Sequence, residues 1–167
     1  MLKPYIEQLM DFNYWGNGLI LKYAEKLGED VFIEHHEYGR GGLSGILSHV
    51  MFAEWIWLDR MEGTPLPVDE MRQKFVAENY PNVASLYEDW FPLELRMRQF
   101  LAKLPEKHFS QEIPYTRSNG TELSDSIADI VTQLVFHGMQ HRSECALILT
   151  EKGESPGNLD YLTYLRP

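Results

Sequence analysis

The sequence has little of two things that would each indicate a class of protein: cysteine and basic residues. Cys145 is the single cysteine among 167 residues, so no disulfide can form within the chain, which favours a reducing compartment such as the cytoplasm. Lys and Arg number 15 against 25 Asp and Glu, and the net charge is −10. No basic cluster interrupts this acidic balance, so we expect no binding to nucleic acid.

Long apolar runs are also missing. No stretch approaches the roughly 18 apolar residues that a membrane span needs, and the N-terminal MLKPYIEQLMDF lacks the basic-then-apolar order of a secretory signal. Repeats, low-complexity tracts and domain linkers are absent, while hydrophobic residues make up 44% of the chain, enough for a sizeable core. We therefore expect a single cytoplasmic domain over residues 1–167, without a membrane partner.

Four segments carry apolar residues at helical spacing between glycine, proline or capping residues. They run from about Pro4 to Leu27, from Leu43 to Glu62, from Asn82 to Leu104, and from Asp125, capped by Ser124, to Lys152. Pro92 lies inside the third segment and predicts a bend or a break there. Four long helices without regular strands predict an all-α fold, an antiparallel four-helix bundle.

The stretch IPYTRSNGTEL joins the third and fourth predicted helices. Asn119-Gly120 is a dipeptide that favours a type I′ turn, and Ile113, Tyr115 and Leu123 flank it. We expect a short hairpin that packs on the helices, or an extended loop.

The fourth helix carries two histidines where a bundle helix would normally place apolar residues. Its apolar stripe passes through Leu134, then His137, His141 and Glu144, then Ile148, in steps of three and four residues. Histidines four residues apart stack on one helix face, where both can bind one metal ion. The alternative is a chance pattern of hydrogen-bonded core histidines.

His49 is a candidate third ligand. It lies in the second helix, three residues after Ile46, and an antiparallel bundle can bring it opposite His137 and His141. His35, His36 and His108 are in contexts typical of loops, and we expect them to be solvated.

These residues resemble a known family. A histidine in the second helix followed by AEWIW, then HGMQHRSE in the fourth helix, is similar to the DinB/YfiT-like metal-binding four-helix bundles; FNYWGNGLI and GESPGNLDYLTYL agree with the same pattern. The likeness covers nearly the whole chain, and Ser143 departs from it where many members have glycine. The resemblance implies nickel or zinc bound by His49, His137 and His141, a homodimer, and relatives that transfer low-molecular-weight thiols.

Three neutral ligands would leave a position on the ion open for water or substrate, as in catalytic zinc sites. One hypothesis is therefore a metal-dependent enzyme, thiol S-transferase-like or hydrolase-like, with a small-molecule substrate. Another is a non-catalytic metal-binding bundle with a structural or partner-binding role, and a third is a plain bundle with incidental histidines.

Other side chains are candidates for supporting roles at this site. Glu144 is a candidate general base or an acceptor that orients a ligand imidazole, with a plain surface carboxylate as the alternative. Trp15, Asn17 and Trp57 are candidates for the lining of a pocket beside the metal. Arg142 is expected to face away from the ligands, towards an anionic substrate or a surface ion pair.

Overall fold

A computed structural model describes residues 2–38, 40–64, 67–117 and 119–166, and leaves the side chain of Glu70 undescribed. Its elements are α1 (Lys3–Leu27), α2 (Glu29–Phe32), α3 (Leu43–Glu62), α4 (Val68–Lys74), α5 (Val83–Lys103), β1 (Glu112–Thr116), β2 (Glu122–Ser126), α6 (Ile127–Glu151) and α7 (Tyr161–Tyr164). The long helices α1, α3, α5 and α6 match the four predicted ones closely. The predicted all-α class is confirmed.

The core lies where α1 and α3 each pack against α5 and α6. Each long helix contributes buried apolar residues to it, including Ile20, Met51, Leu86, Val131 and Cys145. Their burial provides the main favourable contribution to folding. None of the helices in the described part of the chain is long and apolar enough to cross a membrane.

The connection between α3 and α5 is more ordered than the sequence pattern indicated. It contains α4 and a short 3-10 helix, Ala77–Asn79. Two aromatic side chains that follow α4, Phe75 and Tyr80, are buried. The hydroxyl of Ser44 donates to the backbone oxygen of Tyr80 at 2.9 Å. These contacts hold the connection against α3, beside the site described below.

α5 runs without a break through Pro92. The side chain of Asn82 accepts a hydrogen bond from the backbone N–H of Ser85 at 2.9 Å, which caps the helix as predicted. Pro92 is exposed, so the carbonyl that loses its helical partner there is close to water.

β1 and β2 form the antiparallel hairpin that the sequence offered as one of two alternatives, with Tyr115 opposite Leu123. The prediction of a two-residue type I′ turn is wrong, because the strands end at Thr116 and Glu122 and enclose a five-residue connection. Gly120 has a φ of 82° there. A connection of this length does not require two adjacent residues with positive φ.

The predicted start of the fourth helix is also corrected. β2 extends to Ser126, so Ser124 and Asp125 pair with β1 and are not helical. Ser126 is the cap of α6, and its Oγ accepts a hydrogen bond from the backbone N–H of Asp129 at 3.1 Å. A strand that leads directly into a helix places the cap at the junction itself.

Candidate metal centre

Three histidines from two helices meet inside the bundle. His49 comes from α3, while His137 and His141 lie one turn apart on α6, which packs against α3. One ring nitrogen of each lies within 4.8 Å of those of the other two. The Nε2 atoms of His49 and His137 are 3.1 Å apart. The structure thus brings together the three histidines that the sequence predicted.

The position of the two histidines on the apolar stripe of α6 determines which way they face. Leu134 before them and Ile148 after them are buried, so the intervening positions of the stripe face the bundle interior as well. His141 is 7% exposed, whereas His137 and His49 are half-buried. The cluster therefore lies at the edge of the core, partly accessible from outside.

The surroundings keep two of these imidazoles neutral. Burial is the main cause that lowers the pKa of His49 to about 3, followed by the charge of Arg40 and the other two histidines. Burial likewise lowers the pKa of His137 to about 4, with contributions from His141 and Arg40. Metal ions bind neutral imidazole, so these ligands have no proton to lose at pH 7.

Glu144 orients one of the ligands. The Nδ1–H of His141 donates to Oε2 of Glu144 at 2.9 Å. This bond fixes the tautomer and leaves Nε2 of His141 for the cluster. Metal-bound histidines usually donate their second N–H to such an acceptor, so the arrangement matches one of the two roles considered for Glu144.

The donor set fits a divalent transition metal. Two nitrogens bound to one tetrahedral zinc ion at about 2.0–2.1 Å are about 3.3 Å apart, slightly more than the 3.1 Å between the Nε2 atoms of His49 and His137. At most one proton fits between those two nitrogens. The other ring nitrogen of His137, Nδ1, is buried without a hydrogen-bond partner among the described residues. A cation at the centre would satisfy the facing nitrogens together.

An open cavity of about 910 Å³ adjoins the cluster. His49, His141 and Glu144 belong to its lining, and the opposite wall comes from α4 and the 3-10 helix that follows it. Its remaining lining residues are Arg40, Gly45, Ser48, Phe52, Arg72, Phe75, Val76, Ala77 and Glu78. The histidines are therefore accessible to a small molecule.

The structure does not bring Trp15, Asn17 or Trp57 to this cavity. Trp15 packs on Phe12 and Tyr164, and Asn17 is 3% exposed. Trp57 packs on Tyr115 of the hairpin, with ring centroids 4.8 Å apart. Helical spacing alone does not show which neighbour a helix face meets, and this cavity is lined by other residues.

Arg142 also differs from its prediction, because it is 1% exposed. Its Nη1 donates to Oδ1 of Asn13 at 2.6 Å and to Oδ1 of Asn17 at 2.7 Å. The Nδ2 groups of these two asparagines donate to Oε1 of Glu54, at 2.7 Å and 3.3 Å. Two amides thus bridge a buried guanidinium and a buried carboxylate, beside the histidine cluster.

This buried polar network was not predicted from the sequence, although a glycine in each of α1 and α6 indicates it. A Cβ on Gly16 would lie 2.8 Å from Nε of Arg142, and one on Gly138 would lie 2.7 Å from its Nη1. The glycines therefore make room for a large side chain. A glycine in mid-helix, where it costs about 1 kcal/mol, is the feature that could have indicated close packing.

The remaining histidines stay outside the cluster. His35 is exposed and His36 half-buried in the segment before α3, and His108 is half-buried in the short 3-10 helix Glu106–Ser110. The expectation of solvated loop histidines fits His35 best.

The fold and the site define a helical bundle with three converging histidines that could bind a metal ion beside an open cavity. The chain belongs to the DinB family, whose sequence model matches residues 1–167. It is also similar to Protein DinB of Bacillus subtilis (strain 168), with 19% identity over 163 residues, 95% of this chain and 92% of that protein. The resemblance found in the sequence is thereby confirmed.

Proposed function

We propose that this chain is a metal-dependent enzyme that acts on a small molecule, with nickel or zinc bound by His49, His137 and His141. The observation that carries this proposal is that His49 and His141 line an open cavity of about 910 Å³. Structural metal sites are closed by protein ligands, whereas catalytic sites keep a position open. The reaction classes that we favour are thiol S-transfer and hydrolysis.

A divalent ion in this place would polarise a substrate oxygen, or lower the pKa of a thiol or water group. The chain itself supplies three imidazoles, one of them oriented by Glu144. The carboxylate of Glu144 also faces the cavity, so it is placed to accept a proton from a bound substrate. These features support a reactive site in the cavity.

The bundle has other means of joining the helices that carry the histidines. Glu54 of α3 is linked to α1 through Asn13 and to α5 through Trp90, whose Nε1–H donates to it at 2.7 Å. Arg142 of α6 joins the same network. An ion would therefore not be the sole connection between α3 and α6, which favours a catalytic over a purely structural role.

The metal prediction is tested by the metal content of protein purified without an affinity tag. We expect about one divalent ion per chain, and large losses in His49→Ala, His137→Ala and His141→Ala because each removes one of three ligands. The matched control is His35→Ala, an exposed histidine outside the cluster. Wild-type protein that takes up no ion would contradict the proposal.

The reaction class needs a second assay on the metal-loaded protein. We expect conjugation of monochlorobimane with at least one of several low-molecular-weight thiols, lost in His141→Ala. No turnover with any thiol would favour the hydrolase. No turnover with hydrolytic substrates either would leave the alternative of a non-catalytic metal-binding bundle.

We also propose that two copies of the chain associate through a surface on α1 and α6, which we call the α1–α6 apolar surface. Phe136 is 69% exposed there and Tyr5 is 53% exposed. They border a groove of about 300 Å³ with Leu9, Phe12, Thr132, Val135, Met139 and Tyr161. Exposed apolar patches of this kind often mark protein interfaces.

A further inference from the structure

Two arginines on separate elements border the cavity beside the histidines. Arg40 lies in the segment before α3, and Arg72 lies on α4. Both are exposed. In the part of the chain that the structure describes, neither pairs with a carboxylate, although the chain has 25 acidic residues. No described carboxylate competes with a ligand for their guanidinium groups.

The lining of the cavity also carries two acidic groups. Oε2 of Glu144 accepts a hydrogen bond from His141, and Glu78, on the 3-10 helix Ala77–Asn79, is exposed. The two arginines and two glutamates of the lining balance formally, so a divalent ion held by the histidines would make the cavity positive. A positive cavity in a protein with net charge −10 attracts anions locally.

Arg40 shares this cavity with two histidines of the cluster, His49 and His141. A group bound by Arg40 therefore lies in the same cavity as an ion held by those histidines.

The same cavity has an apolar wall. Phe52 and Phe75 line it with ring centroids 5.7 Å apart, next to Val76 and Ala77. Aromatic walls contact the apolar body of a small ligand, and a few polar groups fix its orientation. The cavity therefore combines a surface for an apolar body with two cations.

We propose that the small molecule bound in this cavity carries an anionic oxygen group, held by Arg40 and Arg72, on an apolar body that contacts Phe52 and Phe75. The guanidinium group matches the planar oxygen pairs of carboxylates and the oxygens of phosphoryl groups. This inference rests on the proposed function, because it assigns the substrate class of the same site.

Calorimetric titration of the metal-loaded protein with three phenyl compounds tests the inference. Phenylacetate and phenylphosphonate are the anionic probes, and phenylacetamide is the neutral counterpart of phenylacetate. We expect the amide to bind about tenfold or more weakly than the anions, because charged hydrogen bonds are lost. The anion that binds more tightly shows whether the site prefers a carboxylate or a phosphoryl group.

Arginine variants test whether Arg40 and Arg72 bind the anionic group. Arg40→Gln and Arg72→Gln should each weaken anion binding about tenfold or more and leave phenylacetamide unchanged. The control is Arg117→Gln, an exposed arginine on the hairpin connection that is not part of this cavity. Equal binding of acid and amide, no binding of either anion, or anion binding unchanged in both cavity variants would overturn the inference.

Metal content, measured on the same samples, keeps this test apart from that of the proposed function. The arginine variants should retain the ion, since neither arginine belongs to the histidine cluster. If wild-type protein holds no ion, the proposed function fails, whereas a dependence of anion binding on Arg40 and Arg72 in that protein would still support the anion site.

Discussion

Among single residues, Glu54 is a carboxylate with almost no access to water, being 1% exposed. It accepts hydrogen bonds from Asn13, Asn17 and Trp90. Burial outweighs these bonds and the charge of Arg142, and raises the pKa of Glu54 to about 7. The folded protein therefore retains a proton that the unfolded chain releases near pH 4.5.

We predict that Glu54 makes the free energy of unfolding fall as the pH rises from about 4.5 to about 7. The stabilising effect of the retained proton is fully present below the unfolded pKa and is lost at the folded pKa. A shift from 4.5 to about 7 corresponds to about 3 kcal/mol. Urea denaturation of metal-free wild type and Glu54→Gln over this range should show the wild type losing stability relative to the variant.

Glu88→Gln is the control for this measurement, because Glu88 is an exposed carboxylate on α5. The difference in stability between wild type and Glu88→Gln is the baseline for the Glu54→Gln difference over the same interval. A constant difference between wild type and Glu54→Gln would show that Glu54 titrates alike in both states.

Glu144 provides a second prediction at this scale. Replacing Glu144 with Ala should weaken metal binding by roughly 10–100-fold, the usual effect of losing the acceptor behind a ligand histidine. Glu144→Gln keeps an acceptor oxygen for the Nδ1–H of His141, so it should weaken binding less. Competition with a chromophoric chelator measures both, with Glu88→Ala as control.

The same variants distinguish the two roles predicted for Glu144, general base and acceptor that orients His141. If Glu144→Gln retains both the ion and full turnover, Glu144 is not a general base and only orients His141. If Glu144→Ala binds metal as tightly as wild type, the orienting role is wrong.

At the scale of elements, the start of α6 depends on one hydroxyl group. Ser126→Ala removes the acceptor for the backbone N–H of Asp129, which should lower the free energy of unfolding by about 1 kcal/mol. Ser124→Ala is the matched control: Ser124 lies in β2, opposite Pro114, and should have a smaller effect. Urea denaturation of both variants shows which serine caps the helix. A larger loss of unfolding free energy in Ser124→Ala would show that Ser124, not Ser126, is the cap.

The long helices were predictable because their apolar periodicity extends over many turns. α2 and α4 are too short for such a pattern, and tertiary contacts such as the burial of Phe32 and Phe75 hold them. The boundary between β2 and α6 was missed for a related reason. Ser124 and Ser126 are both good caps in isolation, and only pairing with β1 decides between them.

At the scale of the whole molecule, the sequence predicted the histidine cluster and the neighbouring Glu144, but not the buried network around Arg142. His137 and His141 interrupt an apolar stripe, and such an interruption is visible in one helix alone. Arg142 follows His141 and looked solvent-facing, because nothing in α6 shows that α1 covers that side. Its burial depends on Asn13 and Asn17 of another helix, and that pairing requires the packed structure.

The proposed association of two copies yields the last prediction. Phe136→Glu places a charge at the centre of the α1–α6 apolar surface, where desolvating an unpaired carboxylate opposes burial. Wild-type protein should sediment as a dimer and Phe136→Glu as a monomer, with metal content unchanged because Phe136 is exposed and outside the histidine cluster. Phe91→Glu is the control, since Phe91 is 50% exposed on α5 and does not border that groove. A monomeric wild type, or dissociation by Phe91→Glu alone, would show that the α1–α6 apolar surface is not the interface.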